Sequence, residues 1–177
     1  MDYVILVDSQ DNELGIMEKF EAHEKGLLHR AFSIFLFNSK GEMLIQQRAL
    51  SKYHSPGLWT NACCSHPAPE ESIIDAGRRR LNEELGLSTV LIDAFSFEYR
   101  ETFENNLTEH ELDHVLIGYS DENPILNPEE AKDYRWINWT DLLGEIESNP
   151  QNFTIWFKII LANHIEKLQK ELCHASV

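Results

Sequence analysis

The chain has 177 residues, of which 42% are hydrophobic and 25% charged, the proportions of a folded globular protein. That length suits one domain, taken as residues 1–177, with a single sizeable core. A formal net charge of −15 disfavours nucleic acid and anionic membrane surfaces as partners, and it sets a problem for any anionic substrate. No apolar stretch approaches the roughly 18 to 20 residues that span a bilayer. The opening MDYVILVDSQDNE has neither a basic leading region nor a small-residue cleavage site. The three cysteines, Cys63, Cys64 and Cys173, make a poor disulfide framework, so free thiols in a cytoplasmic protein are expected.

Val4–Val7 reads as a short strand, followed by a polar turn at residues 9–12. Ala31–Phe37 is apolar almost throughout and reads as a buried strand. Residues 38–41 turn the chain, and Met43–Gln47 is expected to pair back as a hairpin. Residues 51–69 are rich in turn formers and read as a loop. A helix is expected over Pro69–Leu85, with Glu70 and Glu71 at the positive end of its dipole and Gly86 as the stop. Strands are expected over Thr89–Tyr99, Leu112–Tyr119 and Tyr134–Trp139. A short helix over Asp141–Ile146 and a long amphipathic one over Phe153–Leu172 complete the chain. Strands bracketing helices in this way predict an α/β (α+β) sandwich with a mixed sheet.

Three histidines, His23, His29 and His66, stand out beside a carboxylate pair, Glu109 and Glu111, in the run TEHELDHV. At spacing two on a strand both carboxylates share one face, while His110 faces the other way and His114 lies further along. Three nitrogens with carboxylate oxygens suit a five- or six-coordinate divalent ion better than tetrahedral zinc. The structural alternative for the acids is a solvated strand edge.

The predicted helix matches the Nudix box, Gly-x5-Glu-x7-Arg-Glu-U-x-Glu-Glu-x-Gly-U, at Glu71, Arg79, Leu81, Glu83, Glu84, Gly86 and Leu87. Two positions depart: Ser65 replaces the first glycine, and Arg80 replaces the glutamate after the arginine. In the Nudix hydrolases the box glutamates hold a metal that helps water attack a diphosphate. Arg80 removes one such ligand and adds positive charge, which favours holding a diphosphate intact.

The resemblance narrows at RALSKYHSPGLWTNACCSHP, Arg48–Pro67. Together with MEKFEAH (Met17–His23), LHRAFSIFLFN (Leu28–Asn38), FEYRETF (Phe97–Phe103) and the TEHE segment, this run resembles the type I isopentenyl diphosphate isomerases, a Nudix-fold family. The resemblance implies transposition of a carbon–carbon double bond between isopentenyl and dimethylallyl diphosphate, a step in isoprenoid precursor synthesis. It implies protonation of an unactivated alkene, a tertiary carbocation, and loss of a second proton.

By that resemblance Cys64 is the catalytic thiol, Glu111 the second acid/base group and a metal ligand, and Tyr99 its hydrogen-bonding assistant. Trp156 offers a π face to the cation, an interaction of about 2 kcal/mol when desolvated. His23, His29, His66, Glu109 and Glu111 correspond to the ligands of a manganese or magnesium site that zinc can also occupy. The five residues separating His23 from His29 are six in some members. Lys19, Arg48, Lys52 and Arg80 correspond to diphosphate contacts, with Arg79 in support, and Glu84 to the holder of a second Mg2+ arriving with the substrate. The expected partner is this small diphosphate alone, on a monomer or weak homodimer. The structural alternatives are a small buried hydrophobe for Cys64 (the better reading for Cys63), helix packing for Trp156 and surface charge for the basic residues. Two other functions stay open on the residues: a Nudix pyrophosphohydrolase, opposed by Arg80 and the Cys64–His66 loop, and a metal-binding or scaffold protein, opposed by Cys64, Glu111 and Tyr99.

Overall fold

The computed structural model describes residues 2–52, 54–103 and 107–174, with the side chains of 172–174 excepted, so the Cys173 thiol lies outside the described residues. In chain order the elements are β1 (Tyr3–Val7), β2 (Glu13–Glu18), α1 (Lys19–Lys25), β3 (His29–Phe37), β4 (Met43–Arg48), β5 (Trp59–Asn61) and β6 (Cys63–Ser65). Then follow α2 (Ile73–Leu85), β7 (Leu91–Thr102), β8 (Thr108–Tyr119), β9 (Ala131–Ile137), α3 (Trp139–Ser148), a 3-10 turn at Pro150–Asn152 and α4 (Ile155–His174).

The strands form one mixed sheet centred on β3. Along its whole length β3 runs parallel to β8, from His29 opposite Glu111 to Phe37 opposite Tyr119. β7 lies antiparallel on the far side of β8. Alternation along β3 divides the core into two layers. Phe35 and Phe37 pack with Phe157, Ile160 and Leu161 of α4. Phe32, Ile34 and Leu36 pack with Ala76, Leu81 and Leu85 of α2. The expected sandwich is present, with helices on both faces.

The expected hairpin between β3 and β4 is reduced to one pair, Phe37 opposite Met43. Beyond it the two strands part. β6 pairs with β3 and β5 pairs with β4, both inside the stretch read from sequence as a loop. Asn61 holds this wedge in place: its Nδ2 donates to the carbonyls of Ile34 and Cys63, both at 3.0 Å. The gap between β3 and β4 is where the polar site described below opens.

α2 starts at Ile73 rather than near Pro69. Ser72 caps it by accepting from the Asp75 N–H at 3.2 Å, and Glu70 has φ +68, which no helical residue adopts. Glu71 therefore sits outside the helix. Its C-terminus is as expected, with Gly86 at φ 63 closing onto the Asn82 carbonyl. Two further elements were not anticipated. β2 is too exposed to show apolar alternation, with Leu14 68% and Ile16 57% accessible. α1 spans seven residues, too short for a helical period, and is fixed by the Glu18 side chain at one end and Gly26 in the left-handed region at the other. Among the described residues no helix is long and apolar enough to cross a membrane.

α2 lies close against the sheet because Gly77 faces it. A Cβ there would come within 2.6 Å of Leu116 Cδ1 and 3.0 Å of Leu91 Cδ1, and both leucines are buried. Valine has only a few tenths of a kcal/mol better helix propensity than glycine, whereas overpacking costs about 1–3 kcal/mol. Gly77→Val is expected to lower the urea-unfolding free energy by about 3 kcal/mol; an unchanged midpoint and slope would show that the helix does not rest on this contact.

Candidate active site

Two registers assemble the polar centre. β3 places His29 beside Glu111, and β7 places Tyr99 beside Glu111 from the other side. α1 brings His23, which is buried with Ala22 on the inner side of that short helix. β6 ends one residue before His66. One ligand atom from each of His23, His29, His66 and Glu111 lies within 4.8 Å of the others.

The hydrogen bonds around this group fix where its lone pairs point. His29 Nδ1 lies 2.8 Å from the Leu27 carbonyl, which only accepts, so the ring proton sits on Nδ1 and Nε2 carries a lone pair. That Nε2 faces His23 Nε2 at 3.2 Å and Glu111 Oε1 at 3.6 Å. His66 Nε2 is 3.0 Å from the same carboxylate oxygen. Burial pushes His23 down to about 3, and burial also lowers His66, so both rings are neutral near pH 7. Burial favours the neutral acid at Glu111, but the neighbouring His29 and His66 rings outweigh it and hold the carboxyl well below its usual range. His23 Nδ1 is buried without a hydrogen-bond partner. Neutral imidazoles and a carboxylate converging on one point fit a divalent cation.

Glu109 stands outside this tight group and joins it through Tyr99. The phenol oxygen is 2.7 Å from Glu111 Oε2 and 3.0 Å from Glu109 Oε2. One phenol proton cannot serve two buried carboxylates. Burial, reinforced by the neighbouring Glu111 charge, raises Glu109 well above the carboxylate range.

A cavity opens beside this centre. Its walls include Lys19, Arg48, Lys52 and Arg80 together with Cys64, Tyr99, Glu84, Glu109, Glu111 and Trp156. The four cations singled out from the sequence thus reach one space, and so do the thiol, the phenol and the indole. Arg79 does not: its guanidinium is held by Glu71 at 2.7 and 2.8 Å, outside the cavity wall. Glu84 accepts from Arg80 at 2.8 Å and from Gln46 at 2.9 Å, and it is not part of the four-residue group.

Cys63 and Cys64 point to opposite faces of β6. Cys63 belongs to the layer under α2, and Cys64 packs on the α4 side within the cavity wall. Burial, and then the nearby Asp113, push the Cys64 thiol up to about 12. Its sulfur lies 3.0 Å from Asn61 Oδ1 and 3.5 Å from Ser33 Oγ. The Trp156 Nε1–H donates to Thr60 Oγ1 at 3.0 Å, and the Arg48 guanidinium sits 5.3 Å from the centre of the indole.

Sequence reasoning missed several residues here. His54 lines the cavity, lies against His23 with ring centroids 5.7 Å apart, and is lowered to about 4 by burial. Asp113 accepts from Ser33 at 2.7 Å and is raised well above its usual range by burial. Glu130 binds Lys52 closely and accepts from Arg80 at 3.1 Å. Asp113 continues the alternation Glu109, Glu111, Asp113 and was findable on that ground. Glu130 carries no local signal.

Residues 27–157 match the NUDIX domain model, well over half of the chain. The isopentenyl-diphosphate Delta-isomerase 2 of Aromatoleum aromaticum is 49% identical over 160 residues, covering 90% of this chain and 85% of that protein. The isopentenyl-diphosphate Delta-isomerase of Serratia proteamaculans is 48% identical over 170 residues, covering 94% and 95%. A solved structure from Deinococcus radiodurans shares the fold, with a TM-score of 0.74 at 22% identity over 92% of this chain and 99% of that one. The chain therefore belongs to the NUDIX family and, within it, to the isopentenyl-diphosphate Delta-isomerases.

Proposed function

We propose that this protein interconverts isopentenyl and dimethylallyl diphosphate, with Cys64 and Glu111 as the two proton-handling groups. The observation that carries the reading is the composition of one cavity wall. A thiol, carboxylates and an indole line it, and Lys19, Arg48, Lys52 and Arg80 supply positive charge to the same space. An isoprenoid diphosphate has this division: a short apolar alkene joined to a group with about three negative charges.

In the forward direction a proton joins the terminal CH2 carbon of the alkene, and the positive charge appears on the tertiary carbon. Loss of a proton from the neighbouring CH2 then gives the dimethylallyl isomer. Cys64 and Glu111 serve the two proton transfers, one giving while the other takes, and the reverse reaction exchanges their parts. The thiol rests protonated, raised by burial, and Glu111 rests ionised. Tyr99 holds Glu111 Oε2 and keeps the carboxylate oriented. Trp156 faces the cation and excludes water that would trap it as an alcohol.

His23, His29, His66 and Glu111 would hold a divalent cation, with Glu109 alongside. Bound there, the ion supplies positive charge that neutralises the buried carboxylates and supports proton exchange at Glu111. The identity of the ion is Mn2+ or Mg2+ in this reading. Glu84 would turn from Arg80 toward a second Mg2+ brought by the diphosphate. The free Arg80 Nε, buried without a partner, is a donor awaiting an acceptor such as a phosphate oxygen.

The same site argues against nucleotide pyrophosphate hydrolysis. Arg80 stands where the Nudix box has a glutamate, so one carboxylate of the hydrolase set is replaced by a guanidinium, which pairs with Glu83 and Glu84 and lines the cavity.

Three outcomes test the reading. Incubation with isopentenyl diphosphate and Mg2+ in D2O, followed by NMR, is expected to show dimethylallyl product carrying deuterium; phosphate release from nucleotides with no such product would replace the isomerase reading by the hydrolase one. Cys64→Ala is expected to lower kcat by at least about 10²–10⁴-fold with the circular dichroism spectrum and metal content unchanged. Near-normal turnover would remove the thiol from the mechanism. Chelation is expected to abolish activity and lower the thermal midpoint, with Mn2+ or Mg2+ restoring both; full activity in verified metal-free protein would refute the cation's part.

A further inference from the structure

Beneath the cavity floor, where β5 and β6 wedge between β3 and β4, a chain of buried polar groups joins Trp156 to Cys64. Each link in it has a forced direction. The Trp156 indole N–H can only donate, and it lies 3.0 Å from Thr60 Oγ1. Thr154 donates to the same oxygen at 3.0 Å. With two donors arriving, the Thr60 hydroxyl spends its own proton on Asn61 Oδ1, also at 3.0 Å. The orientation of the Asn61 amide is not free either: both protons of Nδ2 are taken by the carbonyls of Ile34 and Cys63. Oδ1 is therefore presented to the Cys64 sulfur at 3.0 Å as an acceptor, the shorter of the two polar contacts of that sulfur, the other being Ser33 Oγ at 3.5 Å. Thr60, Asn61 and Thr154 are each 0% exposed, so water cannot replace a missing partner.

We infer that Thr60 is a positioning residue of this active site, locking the indole of Trp156 and, through Asn61, the thiol of Cys64 into one rigid unit. The two side chains come from elements distant in sequence, α4 and β6, and both reach the cavity wall. Direct packing would allow either to change rotamer independently. The relay forbids this, because a turn of the indole strands its N–H and disturbs the Thr60 proton, and through it the acceptor presented to the thiol. The distance from the acid to the π face is thereby fixed before substrate enters. This inference rests on the roles given above to Cys64 and Trp156.

Thr60→Val keeps the shape of the side chain and deletes the relay atom; Thr60→Ser keeps the hydroxyl and deletes a methyl. In Thr60→Val, kcat for isopentenyl diphosphate is expected to fall by about 10- to 100-fold, the scale of a small misplacement of reacting groups, with KM within about twofold. Thr60→Ser is expected to recover most of the loss. The indole N–H resonance of Trp156, assigned by its absence in Trp156→Phe, is expected to exchange with solvent quickly in Thr60→Val and slowly in the parent and in Thr60→Ser. Rapid exchange with an unchanged kcat would overturn the positioning role and leave the reading of Cys64 intact. A rise in KM with constant kcat, or a Thr60→Ser variant as slow as Thr60→Val, would likewise overturn it. Absence of isomerisation by the unsubstituted protein would overturn the functional reading, and this inference with it. Should Thr60→Val lose the fold, Thr154→Val probes the same oxygen by deleting one of its two donors, and the same pattern of kcat, KM and exchange decides.

Discussion

The site depends on one register, the parallel pairing that sets His29 beside Glu111. Tyr99 stands opposite Glu111 on the next strand, so a ring nitrogen, a carboxylate and a phenol fall in one row across three strands. Side chains alternate with period two, so a slip of one residue would carry Glu111 and Glu109 to the α2 face and bring His110 and Leu112 inward. The long apolar run of β3 prevents this slip. Phe35 and Phe37 belong to one core layer and Phe32, Ile34 and Leu36 to the other, and a shift would mismatch both. Hydrophobic burial of about 1.5–3 kcal/mol per large side chain thus guards the geometry of polar groups that contribute little stability themselves.

The electrostatics follow from that burial. A chain with net charge −15 must bind a trianion. Three of the four basic residues in the cavity are engaged by acids: Lys19 with Asp2, Lys52 with Glu130, and Arg80 with Glu83, Glu84 and Glu130, while Arg48 donates to the His54 carbonyl. Burial opposes ionisation of Glu130, but Lys52 and Arg80 outweigh it and keep the carboxyl below its ordinary range. These three cations are thus held in place by carboxylates before any phosphate arrives. On the proposed reading, diphosphate binding would exchange one set of charge pairs for another rather than create pairs from solvated groups, which limits the desolvation cost.

The sequence made much of this legible, for identifiable reasons. Apolar alternation and turn residues marked β1, β3, β4, β7, β8 and β9 to within a few residues, and helical spacing marked α2, α3 and α4. Side chains that carry chemistry in fixed order, such as the TNACCSHP run, pointed to the cavity wall. What stayed hidden has no local pattern. The strands of residues 59–65 are three residues each and are held by Asn61 and by pairing with distant strands. The seven-residue helix carrying His23 depends on its caps rather than on periodicity. Thr60, Asn61, Asp113 and Glu130 acquire their parts only from what the fold sets against them.

The pleat of β6 has a consequence for redox chemistry. Adjacent cysteines look from the sequence like a pair that could join. Their side chains leave the strand on opposite faces, with Cys63 sealed among the leucines under α2 and Cys64 turned to the cavity. A disulfide needs its two Cβ atoms about 3.5–4.5 Å apart with converging bond vectors, which an extended strand does not provide to neighbours. The sheet therefore acts as insulation. An oxidant that reaches Cys64 through the cavity finds no resolving thiol in Cys63, so vicinal disulfide formation is closed off unless β6 first leaves the sheet.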